Sequence, residues 1–298
     1  ILPFRAPRIA KDYAEIWMEN GSPLKGYADE MEASLQHSFD QQGKKVLVRT
    51  GMAYSKPYVW DAMAELEAAG ATEILLLPMF PQYSTATTAS VFNSVEVAAK
   101  KWVKPPKLHF VDDLFQEPAF LQAWASLIQQ HVDIESLDHI IFSYHGVPEK
   151  TIKKADSAGV CEFGSCCHSV TEGNRLCYRM QCVQTTLGIT RELGWEPDKY
   201  SVAFQSRFGP LPWIQPYLDE HIEGLVANHR RRIAVVTPSF ISDCLETLFE
   251  IGVEYRERFD EAGGEEFQLV PNLNNEAGWF NAVYEIASKH LDFFAREV

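Results

Sequence analysis

The chain has 298 residues, with 27 Lys plus Arg against 41 Asp plus Glu, a formal net charge of −14. An apolar fraction of 46% with 23% charged residues is globular composition, and the acidic balance excludes a general nucleic-acid binder, which needs a basic footprint. No apolar run is long enough for a transmembrane helix, and Ile1-Leu2-Pro3-Phe4 lacks the charged lead and apolar stretch of a secretory signal.

In chain order, apolar runs predict strands at Lys45–Arg49, Glu73–Leu77 and Lys107–Val111, with helices over Lys56–Ala69 and Glu117–His131. Strands at His139–Tyr144, Ser201–Gln205, Arg232–Thr237 and Phe267–Pro271 follow. Helices are predicted through Gln181–Leu193, Asp243–Phe259 and Glu276–His290. Short strands alternating with helical patterns define an α/β class with a mostly parallel sheet.

The elements repeat. "KVLVRTGMAYSKP" at 45–57 resembles "YSVAFQSRFGP" at 200–210, and "EILLLPMFPQYS" at 73–84 resembles "RIAVVTPSFISD" at 232–243. "EPAFLQAWASLIQQHV" at 117–132 resembles "EAGWFNAVYEIASKHL" at 276–291, and all three offsets lie between about 156 and 159 residues. A near-constant offset implies duplication into two similar α/β halves. We expect a first half over 1–134, a second over 135–275, and a C-terminal helix over 276–298 that packs back on the first half. The counterpart of "LDHIIFSYHGVPEK" at 137–150 would fall before residue 1, so the chain is expected to begin after the first half's opening strand.

Ligands of open α/β sheets bind beyond the carboxyl ends of the strands, and two facing halves place a cleft there. His145 ends an apolar strand and is followed by Gly146, whose lack of a side chain leaves the imidazole uncovered for base or ligand work. Asp243, Glu246, Glu250, Glu254 and Glu257 recur at helical spacing and form one acidic stripe starting at the cleft, which suits cation handling. Glu246 is nearest the cleft. The loop "LPMFPQYSTATTAS" at 77–90 offers Phe80, Tyr83 and Ser84 as pocket wall and rim. "FQSRFGPLPWIQP" at 204–216 sets Arg207 among aromatics, suited to a flat or carboxylate-bearing ligand.

Five of six cysteines, Cys161, Cys166, Cys167, Cys177 and Cys182, lie within 22 residues inside an insertion over 156–182; the sixth is Cys244. Such clustering points to a local metal or cluster site rather than a chain-wide disulfide framework.

Five ordered segments resemble the ferrochelatases: "NGSPLKGYADEM" at 20–31, "LPMFPQYSTATTAS", "SYHGVP" at 143–148, "FQSRFGPLPWIQP" and "PSFISDCLETLFEI" at 238–251. The resemblance covers nearly the whole chain. It implies two Rossmann-like domains, each a parallel sheet flanked by helices, with a porphyrin held in the cleft between them. It implies a lyase that inserts Fe²⁺ into protoporphyrin IX, giving protohaem and two protons in haem biosynthesis. His145 and Glu246 become the expected catalytic pair and ligands of the Fe²⁺ substrate, with Asp243, Glu250 and Glu254 as an acidic approach. Tyr54, Phe80, Tyr83, Ser84, Arg207 and Trp213 become porphyrin-binding residues, and Arg5 or Arg8 could meet propionates. Many relatives read Arg-Tyr at Ala53-Tyr54, and some carry His at Cys244, which we expect to be a buried helix residue. The cysteine insertion resembles that of ferrochelatases holding a [2Fe-2S] cluster, so four of the five thiols are expected to ligate one. Zinc, or free or disulfide-bonded thiols, are the alternatives, and His168 is a weaker ligand candidate.

Coproporphyrin or cobalt chelation, and a non-catalytic tetrapyrrole carrier or sensor, remain alternative functions. Cysteine usage implies a reducing cytoplasm, and an apolar product implies peripheral contact at the inner membrane face, without an electrostatic anchor at this net charge.

Overall fold

A computed structural model describes residues 10–294. The chain runs through α1 (Pro23–Gln41), α2 (Val59–Ala68), β1 (Glu73–Leu76), α3 (Thr88–Ala99), β2 (Lys107–Phe110) and α4 (Pro118–His131). It continues with β3 (His139–His145), α5 (Glu149–Ala155), α6 (Tyr178–Leu193), β4 (Tyr200–Gln205), α7 (Leu218–Ala227) and β5 (Arg232–Val236). A π-helix (Leu245–Tyr255) then leads into α8 (Arg256–Glu261), β6 (Glu266–Leu269) and α9 (Ala277–Phe294).

Two all-parallel sheets form, β1-β2 and β4-β3-β5-β6. Parallel strands need both faces covered, and β3 reads accordingly, with six of its seven residues buried. Side-chain alternation sorts its residues to two cores. Ile140, Phe142 and Tyr144 join Trp124 of α4, Ile189 of α6 and Trp279 of α9 on one face. Ile141 joins Leu218 and Ile222 of α7, Ile251 of the π-helix and Phe259 of α8 on the other. The first sheet packs Ile74 against Val59 and Met63 of α2 and Val95 and Ala99 of α3. Helix α9 lies against α1 and α4, which carries the chain's last helix back to its early elements.

Six of the seven predicted strands form. Lys45–Arg49 does not: it is extended but outside any ladder. A strand needs a partner for its peptide groups, and here side chains of α1 take that place. Gln36 donates to the Val46 carbonyl (3.0 Å) and accepts from the Val48 amide (2.8 Å), and Glu32 accepts from the Thr50 amide (2.6 Å). The predicted helix over Asp243–Phe259 is a π-helix through Tyr255 and α-helical only after it. Helices α1, α5 and α7 were not foreseen, and α3 follows Thr87 as N-cap, where the 77–90 loop also reads as entering a helix.

Candidate active site

His145 is the last residue of β3 and lies half-buried at the carboxyl edge of the second sheet. The β3–β5 ladder stops at Phe142 and Val236, while the β3–β4 ladder runs on to His145 and Gln205. Two side chains replace the missing ladder: the His145 amide donates to Ser239 Oγ (3.2 Å), and Tyr178 Oη donates to the His145 carbonyl (2.8 Å). On the other side the Gly146 amide donates to the Gln205 carbonyl (2.8 Å). A Cβ on Gly146 would meet that oxygen at 2.8 Å and the Trp213 ring at 3.2 Å, so the approach requires glycine. His145 Nδ1 lies 2.7 Å from the Gly146 carbonyl. A carbonyl only accepts, so Nδ1 carries the proton and Nε2 is left as the basic nitrogen. The Phe240 ring stands 6.4 Å from the imidazole.

Gln205 connects this strand end to the acidic helix. It is fully buried, accepts from Ser143 Oγ (2.8 Å), and its amide donates to the Glu246 carbonyl (2.8 Å). Ser206 follows with φ of 63°, a strained conformation for a residue other than glycine, and its hydroxyl donates to both Glu250 oxygens (2.7 and 2.9 Å). Burial pushes Glu250 up to about 7, and repulsion from Glu246 and Glu254 adds to the rise against the Ser206 hydrogen bond. The π-helix matters here. Its i→i+5 bonding widens each turn, so Glu246, Glu250 and Glu254, four residues apart, fall more nearly in line than in an α-helix.

Asp243 leaves this line. It is buried, accepts from the Thr247 hydroxyl (3.2 Å) and from Asn274 Nδ2 (2.6 Å), and closes the turn before the π-helix. Burial raises its pKa, against the opposing hydrogen bonds from Asn274, Asn272 and Thr247. Cys244 is the N-cap of the π-helix, half-buried, rather than an interior helix residue. Burial and then Glu246 push its thiol well up.

The expected wall residues separate. Tyr54 is 85% exposed and Phe80 37% exposed, while Ser84 is buried and accepts from the Ala86 amide (3.2 Å). Tyr83 is half-buried, and its amide donates to Gln181 on α6. Trp213 donates through Nε1 to the Phe208 carbonyl (3.0 Å). Arg207 is engaged: it pairs with Asp219 (2.8 Å) and Glu220 (3.2 Å) and lies 4.3 Å over the Tyr217 ring. Arg5 and Arg8 lie outside the described residues.

Sequence reasoning missed Tyr13 and Trp17, whose rings meet edge to face at 6.2 Å. Burial raises the Tyr13 phenol, and Glu246 and Cys244 add to the rise, so this tyrosine sits within reach of the acidic helix. The signal available was two aromatics four residues apart just before Gly21-Ser22-Pro23. Gln205, Ser239 and Tyr178 were also missed as supports of His145.

The five clustered cysteines surround the start of α6, all as free thiols. Cys177 is the N-cap of α6. Burial lifts Cys161 to about 11, with Cys166 and Cys177 adding to it. Burial raises Cys167 as well, opposed by Arg179, whose Nη1 donates to its Sγ (3.0 Å). Cys182 is fully buried beside Tyr178, one turn further along the helix. The thiols influence one another, yet among the described residues no three His, Cys, Asp or Glu side chains converge to hold a metal ion.

Helix α6 joins this region to His145 and to the aromatic loop at 77–90. Tyr178 holds His145, Gln181 holds Tyr83 and the buried Asp113 (3.1 Å), and Thr185 accepts from Gln82 (3.1 Å). Asp113 also pairs with Arg175 of the cysteine-rich segment. No described helix is long and apolar enough to cross a membrane.

The fold is that of known chelatases. A sirohydrochlorin chelatase from Bacillus subtilis subspecies spizizenii, solved with cobalt, superposes with a TM-score of 0.56 over 88% of each chain at 10% identity. Parallel sheets flanked by helices, with His145 at the carboxyl edge of the second, give the chain the chelatase-like fold class. The ferrochelatase family model matches residues 1–291. A ferrochelatase of Coxiella burnetii (strain Dugway 5J108-111) is 38% identical over 99% of this chain and 81% of its own length. One from Legionella pneumophila (strain Paris) is 38% identical over 98% of this chain and 85% of its own. The chain belongs to the ferrochelatase family.

Proposed function

We propose that this protein inserts Fe²⁺ into protoporphyrin IX, as a lyase of haem biosynthesis, with His145 and Glu246 as the reacting pair. The observation that carries the assignment of residues is the Gln205 bridge, which joins the His145 strand end to the carbonyl of Glu246 (2.8 Å). Insertion replaces two pyrrole N–H bonds with bonds to iron, so two protons leave the macrocycle. Neutral His145 accepts a proton at Nε2, the nitrogen its Gly146 contact leaves basic. Glu246 guides the cation opposite, and Glu250, raised to about 7, exchanges a proton near neutral pH. Phe80, Tyr83, Trp213 and Tyr54 supply apolar wall, with Ser84 buried behind the loop. Arg207 can meet a propionate only by exchanging it for Asp219 and Glu220. The two α/β halves, divided near residue 134, are the two sides of this cleft. The protein works from the cytoplasm with peripheral contact at the membrane's inner face.

The insertion is read as a [2Fe-2S] site. Thiolates are apt donors, and Cys161, Cys166, Cys167 and Cys177 gather around one helix start, whereas Cys182 points into the core beside Tyr178. Among the described residues these side chains do not converge on a metal ion, and insertion of Fe²⁺ without net redox change asks no electron of a cluster. Bound, it would fasten the insertion to α6.

Anaerobic iron insertion into protoporphyrin, followed by the visible spectrum, tests the activity. Loss of His145 in His145→Ala should slow haem formation by about 10²-fold or more while porphyrin still binds. An unchanged rate would remove His145 from the reaction. Iron and acid-labile sulfide assays on anaerobically purified protein test the cluster.

A further inference from the structure

We infer that Tyr178, with Ser239, is a positioning residue for iron insertion: it fixes the main chain of His145 so that the imidazole keeps one tautomer. The inference rests on the proposed role of His145. The odd-numbered residues of β3 turn their peptide groups toward β5, but that strand's ladder ends three residues before His145. The amide and carbonyl of His145 would therefore be unpartnered at the edge of a buried sheet. Ser239 accepts from the amide (3.2 Å) and Tyr178 donates to the carbonyl (2.8 Å), so both groups are held by side chains on different elements.

This matters because the tautomer depends on a contact with the neighbouring peptide. The Nδ1 proton is held by the Gly146 carbonyl at 2.7 Å, one peptide further on. Rotation of the peptide joining the two residues would carry the ring and the carbonyl apart. The Gly146 amide of that same peptide is anchored to the Gln205 carbonyl on the opposite side, so the peptide is held from both sides, and loss of the His145 carbonyl's partner would leave it held from one side alone. Among the described residues, Tyr178 is the side chain that restrains that carbonyl. The phenol is suited to donate: it is buried in the core with Tyr144 and Cys182, and burial holds it well above its ordinary pKa. The same residue follows Cys177, the N-cap of α6, so the restraint on His145 begins at the cysteine-rich segment.

Tyr178→Phe removes the hydroxyl and keeps the ring. We expect kcat for anaerobic haem formation to fall at least about tenfold with KM for protoporphyrin within about twofold. In ¹⁵N-edited NMR, the His145 ring of wild type should read as the Nδ1–H tautomer, and in Tyr178→Phe as a mixture. Ser239→Ala, which leaves the core intact, should move both readings in the same direction by less, and carries the test if Tyr178→Phe does not fold. A folded Tyr178→Phe with wild-type kcat and an unchanged tautomer overturns the inference alone. A wild type that forms no haem overturns the activity and this inference with it.

Discussion

The first sheet pairs Glu73 with Lys107 and the second pairs Arg232 with Glu266, each pair 34 positions apart in the chain (73 to 107, 232 to 266). The same ladder is thus built twice, with the charges exchanged. The two sheets diverge beside it. In the second, β3 stands between β5 and β4 and presents His145. In the first, the extended 45–50 segment joins no ladder, and its peptide groups turn to Gln36 and Glu32 instead. Similar strand-forming sequence therefore becomes a strand at Tyr200–Gln205 and a braced extended segment at 45–50. Partner availability decides, not propensity.

The largest effect that would sharpen this contrast lies at the base of the central strand. His139 accepts from Arg230 at Nδ1 and meets Ser201 at 2.8 Å, and burial, then Arg230, lowers its pKa to about 4. The unfolded chain takes up a proton below about pH 6.5 while the folded one does not. Stability therefore falls as pH drops from about 6.5 toward 4, by on the order of 3 kcal/mol, and levels off below. Urea denaturation of wild type and His139→Gln across this range checks it; equal slopes would break the assignment.

Gly146→Ala comes next. Its Cβ would collide with backbone at 2.8 Å, so about 2 kcal/mol of stability and most of the activity should be lost. Melting temperature and haem formation, measured together, separate the two losses. In the first half, Gln36→Ala should cost about 1 kcal/mol and raise amide exchange at Val48, since two backbone groups lose their partner. Protection unchanged at that amide would mean the loop is held by other contacts. The smallest effect is Arg232→Ala: the Glu266 pair is exposed, so the unfolding free energy read from urea denaturation should change by no more than about 0.5 kcal/mol.

The strands other than Lys45–Arg49 were legible because buried parallel strands are written as unbroken apolar runs. Helices α1 and α3 were not, because Pro23–Gln41 carries few apolar residues and Thr88–Ala99 sits in a stretch that also reads as a loop. His145 and Glu246 could be found by motif. Their supports could not: Gln205, Ser239 and Tyr178 lie 60, 94 and 33 positions from His145, and only the fold brings them to it. The acidic spacing was read as α-helical. Nothing in i, i+4 spacing distinguishes a π-helix, so the departure of Asp243 from the line was invisible.

Helix α6 is a common brace. Its first two turns hold His145 through Tyr178 and the aromatic loop at 77–90 through Gln181 and Thr185. The placement of His145 and of the aromatic loop thus hangs on one shared support, so their relative position is set by a single helix rather than by two independent ones.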